Sequence, residues 1–213
     1  GQYKNVITNV MMERLASPNG PTGGKIVRPS DGKEVKNVAF IQCAGSRDEN
    51  HLPYCSGICC LASMKHARYI RDQYPDCEVT IFFIDIRALD RLEDFYVKVE
   101  QDEKVHFVKS KIAYITEDEE TKNLTVEGEN TRTGEQIRMT FDMVVLATGM
   151  VPNKMNGVAP PEVSYDDYGF IVLDPEKPGI YGAGCTRRPT DVATCVQDAT
   201  AAALKAIQSI ARR

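Results

Sequence analysis

Four of the seven cysteines in this chain lie between positions 43 and 60, at Cys43, Cys55, Cys59 and Cys60. Thiolates are the ligands of iron–sulfur clusters and of closed zinc sites, so such a group points first to a metal centre. A lone cysteine more often serves as a small buried hydrophobe, and Cys60, on the packing face of its predicted helix, has that reading too. For the group of four the balance reverses. Zinc is the nearest rival, but structural zinc usually takes spaced pairs such as C-x₂-C, and adjacent Cys59-Cys60 departs from that pattern. A redox dithiol of Cys55 with Cys59 or Cys60 is a third reading, although C-x-x-C is absent. The other three stand apart. Cys77, just past Pro75, reads as a structural thiol. His51 and His66 read as surface residues rather than ligands, and no Ser/His/Asp set or paired catalytic carboxylates support a hydrolase.

Metal chemistry needs elements that bring those sulfurs together. Val38-Ala39-Phe40-Ile41 is a short continuous apolar run, the signature of a buried parallel strand. It ends in Gln42-Cys43-Ala44-Gly45-Ser46-Arg47, and ligands in open parallel sheets sit beyond the carboxyl ends of strands. A helix is predicted from Ile58 to Tyr74, with Cys60, Met64 and Ala67 on one face and Pro75 ending it. Val79 to Ile84 follows as a second strand, completing a βαβ unit. Cys55, Cys59 and Cys60 therefore fall at a helix start. There the positive end of the dipole and free N–H groups favour an anionic centre, Gly57 allows close backbone approach, and Arg47 and Lys65 could add compensating charge. A dinucleotide-binding βαβ unit would carry G-x-G-x-x-G at this turn, and a cysteine-bearing loop stands there instead. Asp85, without that fingerprint, reads as a strand-end turn residue.

Elsewhere, Val6 to Leu15 reads as a short helix, followed by a turn-and-loop cluster over 17–24. Ala88 to Gln101 is predicted helical, with a strand at Val105–Val108. Lys111–Thr116, Asn123–Glu129 and Gln136–Phe141 alternate like an antiparallel meander, with Glu117 to Glu120 as a solvated hairpin tip. Met143 onward is again a buried strand, and a Pro-rich connection from Val151 to Pro161 leads to a strand at Phe170–Leu173. Ile180 to Cys185 reads as a short strand and turn. A final helix over about 191–211 should pack through Val192, Val196, Ala199, Ala203, Ile207 and Ile210.

Composition sets the outer bounds. Hydrophobic residues at 42% and charged residues at 26% are ordinary for a soluble globular protein, and a net charge of −4 gives no reason to expect nucleic acid or an anionic membrane as partner. No apolar run approaches the roughly 20 residues of a membrane span, and no secretory signal is visible, so a cytoplasmic protein is expected. Opening on Gly1 rather than Met, inside a segment that already reads as structured, suggests an excerpt of a longer protein.

Cys43-Ala44-Gly45-Ser46-Arg47-Asp48 and Tyr54-Cys55-Ser56-Gly57-Ile58-Cys59-Cys60 resemble the cysteine motif of the heterodisulfide reductase A subunits and of their relatives in the quinone-modifying (quinone-interacting membrane-bound) oxidoreductases, with the overall impression leaning to the latter branch. The resemblance implies a thioredoxin-reductase-like α/β fold in which these four cysteines ligate a [4Fe–4S] cluster. Leu146 to Asn153 resembles the A-T-G-x-x-P-N crossing point of pyridine-nucleotide–disulfide oxidoreductases, and Ile180 to Cys185 their flavin-binding A-G-D segment, with Cys185 in place of the aspartate. That substitution puts one flavin contact in doubt. Thr148, Gly149, Gly184, Cys185, Thr194 and Cys195 are the implied FAD contacts, with the last helix aiming its amino end at the flavin. Taken alone, Ala147-Thr148-Gly149 is a weak signal, and Cys195 serves equally well as core.

The resemblance assigns 1–37 to an amino-terminal segment of the FAD domain or a link from it, 38–145 to an NAD(P)-binding-like domain carrying the cluster, and 146–213 to the closing half of a Rossmann-like FAD domain. Since the glycine-rich ADP-binding turn is absent, weak or no FAD binding by this carboxyl-terminal fragment is expected, and no activity alone. The implied role is electron relay with sibling Fe–S and quinone-facing membrane subunits, peripheral at the inner face of the cell membrane without a span here. The rivals are an ordinary NAD(P)-dependent flavoprotein disulfide reductase and a zinc-stapled interaction domain.

Overall fold

The apolar run at 38–41 forms strand β2 (Asn37–Ile41) in the computed structural model, which describes residues 2–88, 90–153, 162–173 and 179–211. It lies between β3 (Glu78–Phe83) and β7 (Met143–Leu146), parallel to both, so both faces are covered and the run needs no polar alternation. Val38 and Phe40 point into a core with Met64, Ala67 and Ile70 of helix α2 (Cys59–Gln73); Ala39 and Ile41 point the other way, toward Phe82, Leu124, Val126 and Phe141. The βαβ unit is present as the sequence implies.

The chain divides into two compact units. The first, Gly1–Tyr54 with Cys59–Gly149, holds one seven-stranded sheet in the order β1-β7-β2-β3-β4-β5-β6. Strands β1 (Val6–Thr8), β7, β2, β3 and β4 (Val105–Glu117) pair parallel in that order, while β5 (Leu124–Asn130) pairs antiparallel with β4 and β6 (Gln136–Phe141) antiparallel with β5. Phe82 and Phe141 meet edge-to-face at 5.9 Å, so the antiparallel end curls over the second face of β2 and β3.

Several elements differ from the sequence expectation. Val6 to Thr8 is strand, not helix: three β-branched residues pair with Val144 to Leu146, and Thr8 then accepts from the Met11 N–H (3.3 Å) to cap helix α1 (Asn9–Ala16). The strands expected at 105–108 and 111–116 are one strand of 13 residues. Polar Lys109-Ser110 looked like a break, but buried Ser110 donates to the Glu129 carbonyl at 2.7 Å, and a bulge between Ile112 and Tyr114 bends the strand instead. Helix α3 (Glu93–Glu100) begins later than expected, after a 3₁₀ turn at Asp90–Leu92.

The second unit comprises Cys55–Ile58 with Met150–Arg213. Residues 154–161 of the Pro-rich connection lie outside the described residues. Phe170–Leu173 is not a strand, because its N–H groups find scattered partners: Ile171 donates to Thr186 (2.8 Å) and Val172 to Ser164 (3.0 Å). The strand expected at 180–185 is likewise absent, and a 3₁₀ turn at Gly184–Thr186 stands at its end. Helix α4 (Val192–Ala211) forms as expected, but its apolar face is not packed: Val192, Val196, Ile207 and Ile210 are 62–80% exposed. No helix among the described residues is long and apolar enough to cross a membrane.

Candidate metal centre

Beyond Ile41 the chain leaves β2 under close control. Gln42 donates to the Phe82 carbonyl (3.0 Å) and Ala44 to that of Ala147 (3.1 Å), which pins the loop to the ends of β3 and β7. Cys43 takes φ 55°, followed by Gly45 at 80° and Arg47 at 55°. Left-handed backbone is uncommon for residues with a Cβ, and Cys43 and Arg47 both accept it. Ser46 braces the turn by donating its N–H to Cys43 O (3.1 Å) and its hydroxyl to Thr148 O (3.2 Å).

Arg47 reaches Asp85 at 2.6 Å. Burial opposes its charge, but Asp85 and the Cys43 side chain hold its pKa above the ordinary value. Burial likewise raises the Asp85 carboxyl, and Arg47 and Arg87 outweigh it, leaving the pKa below the usual carboxylate value. Asp85, read from sequence as a turn residue, is thus the anchor that keeps Arg47 beside Cys43. Lys65, offered as a second compensating charge, pairs instead with Glu13 at 2.8 Å.

Cys59 and Cys60 are the first two residues of α2, 7% and 8% exposed. Cys60 joins the apolar core and donates its thiol to Asp85 O at 3.8 Å. Both thiols therefore stand at the positive end of a 15-residue helix, close to an anchor shared with Arg47. In the second unit, the Cys55 sulfur accepts the Gly57 N–H at 3.4 Å, and Gly57 has φ 72°. Ser56 ties this short segment to the rest of its unit by accepting from Met150 N–H at 2.9 Å.

The donor set fits a thiolate-bound centre in kind: soft ligands at a strand end and a helix start, with an N–H···S bond and an arginine beside them. Among the described residues, no group of three or more His, Cys, Asp or Glu side chains is already gathered to hold a metal ion. Sites of this sort are commonly completed by the metal, whose binding free energy draws the ligands in. None of the seven cysteines forms a disulfide.

The residues expected at a flavin divide between the units. Thr148 and Gly149 (φ 84°) follow β7 in the first. Gly184, Cys185, Thr194 and Cys195 gather in the second, where Cys185 and Cys195 sulfurs lie 3.7 Å apart. Thr194 donates its N–H (2.8 Å) and hydroxyl (3.1 Å) to Asp191, whose carboxyl those bonds hold below its usual pKa. Asp191 thus caps the start of α4. No step through flavin follows from these residues.

Two features escaped sequence reading. Gln42, next to Cys43, is 6% exposed with neither amide atom hydrogen-bonded among the described residues; a polar residue closing an apolar run was its one sign. His66, read as a surface residue, is 2% exposed and sits between Phe40 and Tyr69, with Nε2 2.6 Å from Glu13. Helical spacing from Met64 and Ala67 did not distinguish it from a flanking position.

The chain is similar to the thioredoxin reductase of T. acidophilum (TM-score 0.57, 19% identity, 96% of this chain and 57% of that one) and to that of Lactococcus lactis (TM-score 0.54, 20% identity, 84% and 54%). No family profile matches. Among curated proteins it is 40% identical to one of the iron-sulfur A subunits of the CoB–CoM heterodisulfide reductase of Methanopyrus kandleri, over 99% of this chain and 34% of that protein. It is 39% identical to the A subunit of the H(2):CoB-CoM heterodisulfide,ferredoxin reductase of Methanothermobacter thermautotrophicus, over 97% and 33%. The chain spans about a third of the length of these relatives. Over that third, its sequence is similar to those of the heterodisulfide reductase A subunits.

Proposed function

We propose that this chain is the cluster-bearing segment of an oxidoreductase subunit, with Cys43, Cys55, Cys59 and Cys60 as ligands of a [4Fe–4S] centre. The observation that carries the reading is the placement of thiols on the β2–α2 connection, where a dinucleotide-binding βαβ unit would hold a glycine-rich turn. Cys55 stands four residues before Cys59 in sequence, within short reach of the same turn. Likeness to a relative whose name describes it as iron-sulfur lends support.

Each residue has a physical task. Cys43 is presented by its left-handed backbone, and Arg47, fixed by Asp85, offsets thiolate charge. The start of α2 adds dipole stabilisation at Cys59 and Cys60, whose burial keeps water away. Gly57 N–H, donated to the Cys55 sulfur, would tune the potential of a bound cluster. A bound cluster would supply one-electron exchange. In the longer protein we propose FAD as a second cofactor, with sibling Fe–S and quinone-facing membrane subunits as partners and a cytoplasmic, peripheral location.

Anaerobic reconstitution with iron and sulfide tests the metal assignment. The expected product is brown, with about four iron and four sulfide per chain. Cys59→Ala is expected to lose most of the iron and the visible absorption while keeping wild-type circular dichroism. A colourless zinc-bound product, or full iron content in Cys59→Ala, would overturn it.

A further inference from the structure

The second unit brings together two thiols that take no part in the proposed metal centre. Cys185 lies in the 3₁₀ turn Gly184–Thr186 and Cys195 in the first turns of α4. Their sulfurs are 3.7 Å apart, about van der Waals contact for sulfur, although ten residues separate them. The approach depends on Gly184: at φ 57° a Cβ there would come within 2.8 Å of the Cys195 sulfur. Cys185 is exposed and Cys195 half-buried, so the pair has an open member and a sheltered one.

We infer that Cys185 and Cys195 form a redox-active dithiol that exchanges with disulfide compounds and closes to an intramolecular disulfide. The exposed Cys185 thiolate attacks a sulfur of an oxidant RSSR, giving a mixed disulfide and releasing one RS⁻. Cys195, already in contact, attacks the Cys185 sulfur and expels the second RS⁻. The two thiol protons end on the leaving groups, so two thiols and one RSSR become one protein disulfide and two RSH. Closure must shorten the sulfur separation to about 2.05 Å. Both cysteines sit at the edges of their elements, where a rotamer change and a small shift of the turn can supply that. The Cys185 sulfur also approaches Thr190 O at 3.6 Å, and the Cys195 pKa is raised by partial burial and by its Cys185 neighbour.

The site is independent of the cluster cysteines, and the experiment separates the two. The 213-residue chain is equilibrated anaerobically in glutathione buffers of increasing oxidised fraction, quenched in acid, alkylated, and digested with trypsin without reduction. Trypsin cuts between Arg187 and Arg188, so the bridge would join two peptides, one holding Cys185 and the other Cys195. The alkylated forms of both are expected to disappear together as the joined species appears. Cys195→Ser should stop at a Cys185 mixed disulfide with glutathione. Gly184→Ala should need a more oxidising buffer, and Cys59→Ala should close the pair as wild type does. If Cys185 and Cys195 oxidise independently, form only mixed disulfides, or pair with Cys43, Cys55, Cys59 or Cys60, the inference is wrong. Circular dichroism of each variant guards against misfolding, and the wild-type peptide map decides the question even if a variant fails to fold.

Discussion

At the scale of single residues, His66 shows how a charge state is built into the packing. Burial pushes its pKa below the ordinary histidine value, although Glu13 pulls the other way. The neutral ring donates Nε2–H to the Glu13 carboxylate, and Nδ1 is buried without a partner among the described residues. Unfolded, an exposed histidine takes up a proton below about pH 6.5. Between that value and the lower folded pKa, the unfolded chain binds more protons, so stability is full above the window and declines as pH falls through it. Glu13 acts in the same direction at lower pH: its carboxyl is held below the usual value by Lys65 and His66 against burial, and that stabilisation is lost as pH falls through the folded pKa. The urea midpoint should therefore drop between about pH 7 and pH 5.5. His66→Gln should flatten that slope; an unchanged slope would refute the assignment. Cys77 is the contrasting case. Buried and pushed up to about 12, it is an inert core thiol, as its isolation in the sequence suggests. Grouping made the cysteines legible. Nothing in residue type marked His66 or Gln42, because burial of one polar residue depends on what folds over it.

Among the elements, β4 and its neighbours carry the most informative differences. Gly128 on β5 pairs with Ile112, where the β4 bulge lies, and a Cβ there would meet Lys111 O at 2.6 Å and the Ile112 side chain at 2.9 Å. Gly128→Ala should therefore destabilise the first unit by about 1–3 kcal/mol, since backbone atoms must give way. Chemical denaturation checks this, and a neutral result would mean that the bulge relaxes freely. Periodicity made the type of most elements readable, because β2, β3 and β7 are buried on both faces and α2 on one. Their partners were less readable. A polar pair at Lys109-Ser110 looks the same whether it ends a strand or crosses between two sheet neighbours. Likewise, α4 has a clear apolar stripe, and periodicity says which side is apolar but not whether anything covers it.

For the whole molecule, the family resemblance implied the thioredoxin-reductase-like fold, and the sequence itself shows the absence of a G-x-G-x-x-G turn. With that turn absent, the 213-residue chain should bind FAD only weakly. Titration followed by flavin fluorescence tests this, and submicromolar affinity would contradict it.

Because β4 belongs at once to the parallel ladder with β3 and to the antiparallel ladder with β5, the meander has no separate existence. Its amides are tied to the same cooperative event as those of the central strands. Native-state hydrogen exchange should therefore find Phe107 and Ile115 opening together, and shuffling the meander between relatives as a detachable cassette would cut through a shared beam.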